Sequence, residues 1–114
     1  MAASESFEVA SRRSAQTHHL VAEGELDIAT VPALEGPFDA AAASDAESIL
    51  VDLAGITFVD STGLRLLIRM TEKCDGGRLR IRTSATVDRL LEITGLLDQL
   101  PLVREEQAPG ADAP

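Results

Sequence analysis

Ser48-Ile-Leu-Val-Asp-Leu53 is a short, nearly continuous apolar run that includes β-branched residues. A run of this kind suits a central strand covered on both faces, and it points to an α/β domain. The turn Ala54-Gly55 follows, and Ile56 to Val59 then carries the chain to Asp60-Ser61-Thr62-Gly63 and into a helix. Leu64, Leu67, Ile68 and Thr71 recur there at helical spacing, with Leu66 and Met70 widening the apolar stripe. Cys74-Asp75-Gly76-Gly77 ends that helix.

The flanking sequence alternates between strand and helix patterns. Phe7 to Arg12 reads as a first strand and Thr17 to Glu23 as a second, with His18, Leu20 and Ala22 on one face and His19 and Val21 on the other. Gly24-Glu25 reads as a bend. Thr30 is the expected N-cap of the first helix, Pro32 is tolerated in its first turn, and Leu34, Phe38 and Ala41 mark its buried face. Gly36-Pro37 should kink this helix, or delay its start to about Pro37, because proline removes an amide donor and clashes with the preceding turn. Leu79-Arg-Ile-Arg-Thr83 alternates with period two, and Arg78, Arg80 and Arg82 read as one solvated face. Ser84 should cap a third helix bearing Val87, Leu90, Leu91 and Thr94, closed by Gly95, with Leu96 and Leu97 packing back after the turn. Leu100 to Val103 would be an edge strand, given Pro101. The expected order is ββαβαβαβ, a mixed sheet with helices packed on it and right-handed crossovers between the parallel strands.

A chain of 114 residues has room for one domain, residues 7–103, between a flexible stretch at 1–6 and a disordered acidic Pro/Ala tail at 104–114. A domain of this size buries roughly two-thirds of its unfolded surface and needs no disulfide scaffold. The single cysteine, Cys74, excludes an intrachain disulfide and reads as a small buried apolar residue at a helix end. With no basic-then-apolar leader and no apolar run long enough for a bilayer, a soluble cytoplasmic protein is expected, with no membrane partner. Three Phe, no Trp and no Tyr leave little for stacking on nucleic-acid bases. The net charge of −9 points the same way, since residues 1–57 carry ten acids against two arginines. Nucleic acid is therefore not an expected partner.

The informative chemistry lies where the strand meets the helix at Asp60-Ser61-Thr62. Amides in the first turn of a helix lack intrahelical partners, and the dipole end is positive. Asp60 or Ser61 could simply cap the helix, or Ser61 could be an exposed hydroxyl presented to a kinase; the local chemistry fits both. No general base, Gly-x-Ser-x-Gly elbow or phosphate-cradling Gly-Lys loop accompanies Ser61, so an enzyme is not expected. His18 and His19 are neighbours on a strand and face opposite ways, so neither a metal nor another cofactor is expected.

From about Phe7 to Val103 the chain resembles a STAS domain, the fold of the bacterial anti-sigma factor antagonists. Gly24-Glu25-Leu26-Asp27 is similar to the segment before the family's first helix. Asp52-Leu53 followed by Phe58-Val59-Asp60-Ser61-Thr62-Gly63-Leu64 is similar to its most specific motif. Gly76-Gly77-Arg78-Leu79, Val87-Asp88-Arg89-Leu90-Leu91 and Thr94-Gly95-Leu96 match later parts in order. The resemblance implies a non-enzymatic partner switch. An anti-sigma factor serine kinase binds the unphosphorylated protein, phosphorylates Ser61 and lets it go, and a serine phosphatase resets it. It also places Asp27, Ile28, Ala29 and Thr30 beside Asp60, Ser61, Thr62, Gly63 and Leu64 on the surface offered to the partner. Asp27 fits a turn or capping acid equally well. Two departures stand out: the family's usual final C-terminal helix is replaced by the acidic Pro/Ala stretch, and Gly36-Pro37 interrupts the first helix. A second reading is a STAS-like subunit held permanently in an assembly such as a lipid-transport complex, with Ser61 as a plain contact. Monomer and weak dimer both fit the sequence.

Overall fold

In the computed structural model, which describes residues 7–74 and 76–103, a hairpin opens the chain. Strand β1 (Glu8–Ser14) pairs antiparallel with β2 (Thr17–Leu26) across a two-residue turn at Ala15-Gln16. Helix α1 (Val31–Ala43), strand β3 (Ser48–Val59), helix α2 (Ser61–Lys73), strand β4 (Leu79–Thr83) and helix α3 (Ala85–Thr94) follow. A single 3₁₀ turn at Leu97–Gln99 leads to the short strand β5 (Leu102–Val103). The five strands lie in sequence order, β2 to β5 mutually parallel, so β5 is the edge strand expected from Pro101. The ββαβαβαβ order is the one read from the sequence. The segments expected to be loose, 1–6 and 104–114, lie outside the described residues.

Strands laid down in sequence order by crossovers of one hand send every helix to the same face of the sheet. One core cluster accordingly gathers Leu34, Phe38 and Ala41 of α1, Leu66, Leu67 and Met70 of α2, and Val87 and Leu91 of α3 against Leu20, Val51 and Ile81. The opposite face is only partly covered. In β3, Ile49, Val51 and Leu53 are buried while Leu50 and Asp52 are half-buried, which corrects the expectation of a strand covered on both sides.

The expected turn at Ala54-Gly55 is also corrected, because β3 runs unbroken from Ser48 to Val59. Its pairing with β2 slips twice, between Val21 and Glu23 and between Gly24 and Glu25, each time leaving one extra residue in β3. Bulges of this kind rotate the side chains out of simple alternation. The buried positions therefore step from Leu53 to Ile56 to Val59, and Phe58 is turned outward. The Gly24-Glu25 bend is one of these irregularities within β2.

Helix α1 starts at Val31 and passes through Pro37, so the proline neither delays nor ends it. Burial of Leu34 and Phe38 on either side of the proline offsets the amide that Pro37 cannot donate. In α2 the buried side is Gly63, Leu66, Leu67 and Met70, about one residue round from the stripe read from Leu64, Leu67, Ile68 and Thr71. Helix α3 behaves as read. The Ser84 hydroxyl accepts from the Val87 amide, and Gly95 takes a left-handed conformation (φ 78°) that lets the Leu96 amide reach the Leu91 carbonyl.

The arginine row expected on β4 divides three ways. Arg80 is exposed, Arg82 pairs with Asp52 at 3.3 Å on the neighbouring strand, and Arg78, in the turn before β4, spans the C-terminal end of α1. Its Nε donates to the Ala46 carbonyl, its Nη1 to Ala42, and its Nη2 to Ser44 and Ala41, at 2.9 to 3.3 Å. Helix α1 has no basic residue in its own last turn, so Arg78 supplies the cation that end favours.

Candidate functional site

The ends of β2 and β3 are paired at Leu26 and Val59, and the segments leaving them form the site. The Asp60 amide donates to the Leu26 carbonyl at 3.2 Å, tying the start of α2 to the segment that begins with Asp27. Gly63 allows this approach. A methyl group on its Cα would stand 2.8 Å from the Leu26 carbonyl oxygen, 2.9 Å from Val59 Cγ1 and 3.0 Å from Leu26 Cγ.

Asp60 is the N-cap of α2, in extended conformation, and its Oδ1 accepts from the Gly63 amide at 2.9 Å. Ser61 is thereby left as the first helical residue, exposed and without a capping duty. Replacing Asp60 with Ala should cost about 1 kcal/mol of stability in urea unfolding, with Asp60→Asn retaining most of it; equal losses for the two would refute the cap as the source.

Across from it, Asp27 Oδ1 accepts from the amides of Ala29 (3.0 Å) and Thr30 (3.1 Å), and its carbonyl accepts from Val31. The Asp27 carboxylate thus closes the turn that leads into α1, and no side chain caps the helix itself. Thr30 occupies the N-cap position, yet its hydroxyl turns back to donate to the Glu25 carbonyl at 2.7 Å and accept from the Asp27 amide. This turn holds the loop closed and leaves Ile28 and Ala29 projecting to solvent, Ile28 with 74% of its surface exposed.

Two ion pairs set the helices in register: Arg69 with Glu35 at 2.9 Å and Lys73 with Asp39 at 2.5 Å. Both join positions 34 apart, so α1 and α2 run parallel. Carrying the same offset back one turn sets Val31, the first residue of α1, opposite Arg65.

The nine residues expected at the partner surface therefore gather at one end of the sheet but divide by exposure. Ile28, Ala29 and Ser61 are exposed; Asp27, Asp60, Thr62 and Leu64 are half-buried; Thr30 and Gly63 are buried and shape the surface from within. Phe58 and Ile93 were not anticipated. They are 48% and 73% exposed and line a shallow groove of about 250 Å³ with Val59, Thr86, Arg89 and Leu90. The bulges in β3 turn Phe58 outward, and strict alternation gives no sign of them. Among the described residues the large exposed apolar side chains are Ile28, Phe58 and Ile93, two of them at the strand ends that hold Ser61. No helix among the described residues is long and apolar enough to cross a membrane.

A family model described as "Mlab, STAS domain" matches residues 9–104. The anti-sigma-B factor antagonist of Staphylococcus aureus (strain NCTC 8325 / PS 47) is 36% identical over 78 residues, which cover 66% of this chain and 72% of the relative. The crystal structure of an anti-sigma factor antagonist from Mycobacterium paratuberculosis superposes with a TM-score of 0.77 at 26% identity, covering 86% of each chain. The anti-sigma factor antagonist SpoIIAA in its unphosphorylated form shares the fold, with a TM-score of 0.69 at 20% identity over 88% of this chain and 91% of that one. By this match over most of its length, and by the fold and strand-end geometry that accompany it, the chain belongs to the STAS domain family.

Proposed function

We propose that this protein is a cytoplasmic anti-sigma factor antagonist, a binding protein and kinase substrate rather than an enzyme. It holds its anti-sigma factor through the surface of Ile28, Ala29, Ser61 and the neighbouring Phe58, and phosphorylation of Ser61 by that partner releases it. A serine phosphatase restores the bound form. The observation that carries this reading is the exposed Ser61 hydroxyl, relieved of capping by Asp60 and set among exposed apolar side chains at the strand ends. Apolar side chains grouped this way suit a docking surface. Phosphorylation would add roughly −1.5 to −2 charges there. The helix N-terminus tolerates that charge, so the fold persists, but a surface docked around a neutral hydroxyl would have to desolvate a dianion.

The test is to mix the protein with ATP-binding anti-sigma factors encoded near it, map phosphate by mass spectrometry, and measure binding of wild type, Ser61→Ala and Ser61→Asp. Ser61 should carry the phosphate, Ser61→Ala should bind like wild type, and Ser61→Asp should bind at least about tenfold more weakly. If Ser61 stays unmodified and Ser61→Asp binds as tightly as wild type, the proposal is lost. A stable complex indifferent to phosphorylation would instead favour a constitutive subunit.

A further inference from the structure

Along one side of α2, Ser61, Arg65, Arg69 and Lys73 fall four residues apart and form a row. The last two cations are engaged across the helix pair, Arg69 by Glu35 and Lys73 by Asp39. Arg65 is exposed and has no ion-pair partner among the described residues. The position it faces on α1 by the shared offset is Val31, which offers no charge.

Building on the reading of Ser61 as a phosphorylation site, we infer that Arg65 is the counter-ion of that phosphate, a cation left unpaired in the unmodified protein and captured once Ser61 is phosphorylated. Residues four apart on a helix stand about 5 to 6 Å from Cβ to Cβ. Helical side chains lean toward the N-terminus, so the long Arg65 side chain reaches back over the turn that Ser61 begins. An anion N-terminal to a cation at this spacing is also the favourable order. A guanidinium presents paired donors that match phosphate oxygens.

The other cation near this end of the sheet is Arg89 of α3, in the groove with Phe58 and Val59, whereas Arg65 shares the helix face of Ser61. Asp60 brings a carboxylate next to Ser61, and the Gly63 amide, one of the donors that could otherwise meet a phosphate, is already occupied by Asp60. Arg69 lies a further turn away and is held by Glu35. Phosphorylation then makes two changes at the docking surface: it adds a dianion, and it withdraws Arg65 from contact with anything outside the chain.

The experiment uses the full chain with phosphoserine inserted at position 61 during translation, so that no kinase is needed. The second ionisation of the phosphate is followed by ³¹P NMR against pH in wild type, Arg65→Gln, Arg65→Lys, Arg69→Gln and Arg89→Gln. Removing the Arg65 charge should raise that ionisation by about half a unit, roughly a threefold change in proton affinity. Arg65→Lys should recover part of the shift, and Arg69→Gln should leave the titration at its wild-type position. Coincident titrations for wild type and Arg65→Gln, or an equal shift in Arg69→Gln or Arg89→Gln, would overturn the inference. Failure of a kinase to modify Ser61 would instead overturn the functional proposal and leave this titration unaffected.

Discussion

Gly63→Ala should lower stability by about 2 kcal/mol, although alanine is the better helix former. Intrinsic propensity favours the substitution by up to about 1 kcal/mol. Against this, the new methyl group would stand 2.8 Å from the Leu26 carbonyl oxygen and 2.9 Å from Val59 Cγ1, and overpacking of a filled site costs about 3 kcal/mol. The carbonyl has little freedom to yield, since it accepts from the Asp60 amide and belongs to a residue paired with Val59 in the sheet. Gly36→Ala is the matched control. That glycine is also helical, and beyond its chain neighbours nothing lies within 4 Å of an added methyl, but Pro37 next to it disfavours a Cβ on a helical residue, so the gain in helix propensity is offset and the same exchange there should be nearly neutral. Urea unfolding should show a clear loss for Gly63→Ala and little change for Gly36→Ala. Equal effects would mean that close approach at Gly63 is not what holds β2 to α2. Because that contact ties the start of α2 to the segment that begins with Asp27, Gly63→Ala should also weaken partner binding more than its exposed neighbours suggest.

Arg78→Ala should cost about 3 kcal/mol, the loss expected when several charge-assisted hydrogen bonds to carbonyls are removed together from a half-buried position. The damage should concentrate at the C-terminal end of α1, where amide hydrogen exchange should accelerate. Arg78→Lys should recover little, since an ammonium cannot span four carbonyls as the planar guanidinium does. Arg80→Ala, on the exposed part of β4, should change stability by less than about 0.5 kcal/mol. A loss at Arg78 no greater than at Arg80 would show that α1 ends stably without this brace.

The features legible in advance are those whose physics is local. Ser84 caps α3 through an amide three residues on, and Gly95 ends it with a backbone angle other residues resist. Pro101 places the last strand at an edge, because proline cannot serve an interior ladder. The motif around Ser61 was legible for the same reason, an extended run ending in Asp-Ser-Thr-Gly at a helix start. The phase of α2 was not. Its apolar residues at 64, 66, 67, 68 and 70 spread over a broad arc, and small size at Gly63 rather than hydrophobicity turns the helix toward β2. The bulges in β3 escaped because an extra residue leaves composition unchanged while reversing which side chains face inward.

Residue order alone determined the alternation of strands and helices, the cap of α3, and the placing of a serine where an extended segment passes into a helix. Each depends on groups a few positions apart, whose preferences act in any surroundings. The tertiary structure decided which acid ends where: Asp60 on the cap, Asp27 in the facing turn, and Ser61 free of both. It alone assigned Arg78 to a helix more than thirty residues earlier, turned Phe58 outward, and left Arg65 unpaired while Arg69 and Lys73 found partners on α1. Those outcomes depend on how far apart two elements come to rest, and packing, not local preference, sets that distance.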